Sequence, residues 1–152
     1  MRALVVLLPL LAVPAQAGDI DPETAVAYRQ ASFGALAKHM KTTGMIAKGQ
    51  VPHTGDLETH AVALNMLAKQ LPGWFPEGTG PEASEKTAAL PAAWSDREGL
   101  EKAAKALEDA SAKLIELSKQ ETIDLTAVKA QVGQVGRSCG GCHDTFKKDD
   151  DH

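Results

Sequence analysis

Cys139-Gly140-Gly141-Cys142-His143 is the run of this 152-residue chain that brings reactive side chains close together, and it holds both cysteines of the sequence. Thiols at i and i+3 share one face of a helix. An imidazole follows at once, about 40° around the helix from Cys139 and about 100° from Cys142 at roughly 100° per residue. Each thiol can add to a vinyl group along one porphyrin edge, and the neighbouring imidazole nitrogen can take the iron. The run therefore reads as a covalent site for one c-type haem, with Cys139 and Cys142 forming the thioethers and His143 the axial ligand. A local disulfide or redox dithiol and a zinc site are the competing readings. Zinc needs about four ligands, and no second cysteine pair or closely spaced histidine pair completes a set. A thioredoxin-like pair follows a strand, whereas this run falls late in a helical pattern.

The N-terminus agrees with haem attachment outside the cytoplasm. Met1-Arg2, the apolar stretch 3–13 and Ala15-Gln16-Ala17 form the charged start, hydrophobic core and small-x-small site of a secretory signal peptide over residues 1–17. The apolar stretch is short and is interrupted by Pro9, with Pro14 just beyond, which disfavours a retained membrane anchor. The expected location is the periplasm. Residues 18–152, 135 in all, suit one domain. Without Arg2 this part carries 15 basic against 20 acidic residues, a net charge near −5. That balance argues against nucleic acid or an anionic membrane surface as a partner.

Four amphipathic segments must position the motif. The first opens at Asp21-Pro22, an N-cap with proline at the first helical position, and its stripe reads Val26, Gln30, Phe33, Leu36, Ala37, Met40 before fading around 44–49. Gly34 inside it costs about 1 kcal/mol relative to alanine, which close approach of haem or a helix would justify, though it can equally be a tolerated glycine. Asp56 is expected to cap the second segment, with Leu57, Ala61, Leu64, Leu67, Ala68 and Leu71 at helical spacing and Pro72-Gly73 as its stop. The third starts with the capping-box pattern Ser95-Asp96-Arg97-Glu98 and runs through Leu100, Leu107, Leu114 and Leu117. The fourth, capped by Asp124, sets Val128, Val132, Val135, Cys139, Cys142 and Phe146 on one seam, so both thiols face the interior. Residues 72–94 form a long connection with four prolines and both tryptophans. It is expected either to carry a helical turn over 83–89 or to wrap the haem edge with Trp74 and Phe75, which otherwise serve as packing anchors.

A haem motif near the C-terminus with no methionine after His143 separates this chain from small electron carriers that place the motif early and a methionine ligand downstream. The chain resembles the cytochrome c′ family. The resemblance rests on the motif, on Tyr28-Arg29-Gln30, on Phe75-Pro76-Glu77-Gly78-Thr79, on Ala93-Trp94-Ser95-Asp96, and on Val135-Gly136 before the first cysteine, in the family's order. It implies an all-α, antiparallel up-down-up-down four-helix bundle with covalently bound haem. It also implies five-coordinate iron, with the motif histidine proximal and an apolar side chain closing the distal side four residues after the first-helix arginine. Here that residue is Phe33, which cannot coordinate iron.

Further expectations carry over from the same resemblance. Arg29 and Gln30 align with positions near the haem propionates, the alternative being an ordinary surface pair. Lys147, one helical turn after His143, aligns with an arginine beside the proximal haem face; lysine keeps the charge and loses the planar fork. Homodimers through the first two helices are expected. The ligands implied are nitric oxide and carbon monoxide, with nitric oxide able to attack from the proximal side.

The expected function is a gas-binding periplasmic haem protein that also passes electrons to a redox partner the sequence does not name. The alternative is a low-spin six-coordinate electron carrier with an upstream ligand such as Met40, which lies on the stripe of Phe33 but about 10.5 Å further along the axis. Met40 reads as core and His39 as exposed. His53, His60 and His152 read as solvated. Neither a distal histidine-arginine pair nor a second metal site is evident, so enzymatic activity is not expected.

Overall fold

The computed structural model describes residues 20–148. The expected signal peptide and cleavage site, the acidic run 149–151 and His152 lie outside the described residues.

Helix α1 spans Pro22–Ala47, and its start is set locally. Asp21 accepts from the Thr24 backbone N–H and hydroxyl, each at 2.8 Å, while Pro22 occupies a position that needs no N–H donor. Helix α2 spans Leu57–Gln70 and buries Leu57, Ala61, Leu64 and Ala68. Asp56 stands before it but makes no side-chain cap bond, because a 3-10 turn over Thr54–Asp56 leads the chain into the helix.

After α2, a 3-10 turn over Leu71–Trp74 and an irregular stretch reach the one-turn helix α3, Ala92–Ser95. The expected helical turn over 83–89 is absent; the chain turns at 80–84 and again at 84–87, after which Ala89 bridges antiparallel to Lys147. Helix α4 spans Arg97–Ser118 and is capped by Asp96, whose carboxylate accepts from Gly99 N–H at 3.0 Å. Ser95, the expected first residue of a capping box, instead closes α3 and donates to the Pro91 carbonyl. Helix α5 spans Leu125–Phe146, with Asp124 accepting from the N–H groups of Thr126 and Ala127 at 2.8 and 3.3 Å.

Contacts run from α1 to α2, α2 to α4, α4 to α5 and α5 back to α1, closing an antiparallel four-helix bundle. On α4, Leu100, Ala104, Leu107, Ser111 and Leu114 are buried at alternating steps of four and three, the seam spacing of helices crossing at a shallow angle. The buried Ser111 is satisfied by the Leu107 carbonyl at 2.7 Å, and Asn65 of α2 donates to both Ser111 Oγ and the Glu108 carbonyl. This polar pair ties α2 to α4 at one level of a largely apolar core. No described helix is long and apolar enough to cross a membrane.

Candidate haem site

The seam of α5 carries the thiols inward as its periodicity predicts. Val128 and Val135 are fully buried, and Cys139 and Cys142 pack half-buried against the same core. Both thiols are unbridged. Burial pushes the Cys139 thiol up, and burial together with neighbouring Cys139 pushes Cys142 up to about 11. A redox dithiol works through a thiol whose pKa is lowered, so this environment is the wrong one for that chemistry. Zinc fares no better: among the described residues, no group of three or more His, Cys, Asp or Glu side chains could share a metal ion. His143 is exposed, next to the seam and in the last turn of α5.

Phe33 meets this end of the bundle from α1. The helix register shows it: a Cβ built on Gly136 of α5 would lie 3.7 Å from the Met40 methyl, so α1 and α5 pass closely there. Seven residues back along α1 and seven forward along the antiparallel α5 both cover about 10.5 Å and arrive at Phe33 and His143. Phe33 therefore stands at the axial level of His143, and Met40 stands about two turns away, against Gly136. Phe33 is half-buried and is held edge-on by Trp74, with ring centroids 5.0 Å apart, and by Phe75 at 6.2 Å. Trp94 extends the wall, 5.5 Å from Phe75, and its indole N–H donates to the Pro76 carbonyl at 2.9 Å. Trp74 and Phe75 are thus buried packing anchors of Phe33. Gly34 has no protein atom within 4 Å of a built Cβ, so close helix approach does not explain it.

Arg29 is not half of a surface pair: only 3% of it is exposed. Its guanidinium donates to the carbonyls of Trp74 and Thr79, each at 3.1 Å, and to the hydroxyls of Thr79 at 3.4 Å and Thr87 at 2.8 Å. It lies 5.0 Å from the ring centre of Phe75 and 5.2 Å from that of Trp94. Burial lowers its pKa, yet a guanidinium stays charged. Gln30 is exposed and donates to the Lys86 carbonyl at 2.9 Å, so both side chains grip the 72–94 connection. The signal for a buried Arg29 was present in the sequence: it sits about 25° from the centre of the Val26, Phe33, Leu36, Met40 stripe, against about 75° for Gln30. Its charge hid it.

Lys147 follows the last helical residue. Its backbone is extended at φ −121°, ψ 140°, so the helical wheel does not set its direction. The strand-like bridge to Ala89, with Leu90 N–H on the Phe146 carbonyl at 2.9 Å and Lys148 N–H on the Ala88 carbonyl at 2.8 Å, ties the end of α5 to the connection. His53 is exposed as expected, but His39 and His60 are half-buried and bonded to each other at 2.9 Å. That contact needs two helices, and the periodicity of either one alone does not reveal it.

Two desolvated thiols one turn apart, an exposed imidazole beside them, and helical glycines at 140 and 141 with no protein atom within 4 Å of a built Cβ all suit a covalent haem. Fold and site together define a four-helix-bundle c-type cytochrome. A family model described as cytochrome c′ matches residues 24–147. Cytochrome c′ of Rhodospirillum rubrum is 36% identical over 129 residues, 85% of each chain. The crystal structure of cytochrome c′ from Rubrivivax gelatinosus superposes with a TM-score of 0.73 at 34% identity, covering 84% of this chain and 98% of that one. A ferrous variant of cytochrome c′ from Alcaligenes xylosoxidans with bound NO superposes equally well, TM-score 0.73, at 30% identity over 86% of this chain and 98% of its own. The chain belongs to the cytochrome c′ family, and its cofactor is one covalent haem c.

Proposed function

We propose that this protein is an exported, periplasmic haem protein that binds nitric oxide and carbon monoxide at a five-coordinate iron and also passes electrons. Cys139 and Cys142 hold the haem by thioethers, and His143 is the single protein ligand. When bound, the haem supplies an iron with one position open to a small diatomic molecule. Phe33 closes the distal side sterically and offers no hydrogen bond, a surrounding that suits nitric oxide and carbon monoxide better than oxygen. Trp74 and Phe75 hold that ring in place from behind. Arg29 and Gln30 fix the connection that bears these aromatics, and Lys147 stands near the proximal side. The NO-bound relative supports the ligand class.

The observation that carries this reading is the common axial level of Phe33 and His143, with Met40 packed about two turns away. The test is carbon monoxide titration of the ferrous holoprotein. Wild type is expected to show a broad high-spin spectrum that sharpens on addition, and Phe33→Ala is expected to bind at least tenfold more tightly. Equal affinity would remove Phe33 from the distal role, and a sharp low-spin spectrum indifferent to the gas would replace the open site with a hidden sixth ligand.

Homodimerisation through α1 and α2 belongs to the same proposal. Tyr28 on α1 and Met66 on α2 are 58% and 56% exposed, large apolar side chains left in water on these two helices. Sedimentation of the holoprotein tests it, a monomer at micromolar concentration being the contrary result.

A further inference from the structure

The strap of chain over 86–90 is held from two sides, and each side carries a residue that addresses the haem. On one side is α1. Glu23 pairs with the Lys86 ammonium, Gln30 donates to the Lys86 carbonyl at 2.9 Å, and Arg29 donates to the Thr87 hydroxyl at 2.8 Å. On the other side is the end of α5. The Lys148 N–H donates to the Ala88 carbonyl at 2.8 Å, the Leu90 N–H to the Phe146 carbonyl at 2.9 Å, and the Lys148 ammonium to the Thr87 carbonyl at 3.1 Å. Each grip lies about one helical turn from a haem residue. Arg29 is four residues before Phe33; Lys147, which bridges to Ala89, is four after His143 and donates its N–H to the His143 carbonyl at 3.1 Å.

Within the strap Lys86 bonds to α1, and Ala88 and Leu90 bond to the end of α5; Thr87 bonds to both. It is buried, and its hydroxyl oxygen accepts twice, from Arg29 and from the Ala89 N–H at 3.1 Å. The second of these bonds shapes the backbone that pairs with Lys147. A valine of the same outline would leave the guanidinium one acceptor short in a region closed to water, so the position calls for a hydroxyl. We propose that Thr87 is a positioning residue of the haem site: by tying α1 to the end of α5 it sets Phe33 and His143 relative to each other, so a change at Thr87 reaches both sides of the iron. Buried, mutually bonded polar groups transmit such changes because few other arrangements satisfy them all. The inference rests on the five-coordinate reading given above.

The experiment compares the ferrous holoproteins of wild type, Thr87→Val, Thr87→Ser and Ser111→Ala. Resonance Raman spectroscopy reads the iron–histidine stretch, carbon monoxide titration reads the distal side, and hydrogen exchange reads the Leu90 and Lys148 amides. Thr87→Val is expected to shift the iron–histidine band, to change carbon monoxide affinity by about threefold or more, and to speed exchange at both amides. Thr87→Ser keeps the hydroxyl and should return all three readings to wild type. Ser111→Ala controls for lost stability. It removes the acceptor of the Asn65 bond near the level of Gln131, about 18 Å along α5 from His143, and should move none of the three. An unmoved band, affinity or exchange rate in Thr87→Val, or an equal change in Ser111→Ala, would overturn the role of Thr87. A wild type that is low-spin and indifferent to carbon monoxide would instead overturn the five-coordinate reading, and this inference with it.

Discussion

Removing the Arg29 guanidinium should be among the most damaging single changes outside the haem motif. In Arg29→Ala the carbonyls of Trp74 and Thr79 lose a charged donor in a region sealed from water, as does the Thr87 hydroxyl. A buried acceptor left without a partner costs about 1–3 kcal/mol. The contacts over Phe75 and Trp94 contribute about 0.5–2 kcal/mol each where water is excluded. Water entering the vacated space recovers part of this, and the contributions are not additive, so the expected loss is about 3–5 kcal/mol. Arg29→Lys keeps the charge, but one ammonium cannot span both carbonyls and the Thr87 hydroxyl, and about half of that loss should persist. The neighbouring Gln30→Ala removes one exposed hydrogen bond and should cost under about 1 kcal/mol. Urea unfolding of the three holoprotein variants, followed by far-ultraviolet ellipticity, measures all of these. A loss under about 1 kcal/mol for Arg29→Ala, or one equal to that of Gln30→Ala, would refute the view that Arg29 locks the connection to α1.

Met40→Leu should leave the ferrous spectrum and carbon monoxide affinity unchanged and cost less than about 1.5 kcal/mol, since it conserves volume beside Gly136; a changed spin state would make Met40 a ligand. Stability should also depend on pH through His39. Its pKa in the folded protein is below the 6.5 of an ordinary imidazole, so under acid the unfolded chain takes up this proton first. The contribution of a neutral His39 is full above 6.5 and is lost as pH falls through the folded pKa, so the urea midpoint should drop over that range. His39→Gln should flatten that part of the profile, and an unaltered slope in the variant would show that other groups carry it.

Much of the fold was legible because its causes are local. Proline after Asp21 and the carboxylate of Asp124 start their helices within one turn of chain, and both caps form as their spacing predicts. Where two local solutions compete, neighbouring structure chose between them. Ser95 and Asp96 both suit an N-cap, and the one-turn helix α3 absorbed Ser95 and left Asp96 to do it. Asp56 lost its expected bond in the same way, to the 3-10 turn it belongs to. The long connection was the least readable stretch, because its order comes from outside itself: from the Arg29 guanidinium, from Gln30 and from the backbone bridge to Lys147.

The sequence by itself determined the chemistry of the haem site, because two thiols and an imidazole within five consecutive residues on one helix need no partner to be brought together. It also determined the number of long helices and which seam of α5 turns inward, since hydrophobic period depends on neighbours a turn away. Only the tertiary structure decided what faces that site and what surrounds it. Arg29 is buried because distant carbonyls receive it, Phe33 stands level with His143 because α1 and α5 pack in one register, and His39 meets His60 because α1 lies on α2. A lone helix exposes an arginine or a histidine to water as readily as any other surface position. A second chain segment is what supplies the acceptor, the ring or the partner nitrogen that brings it inside.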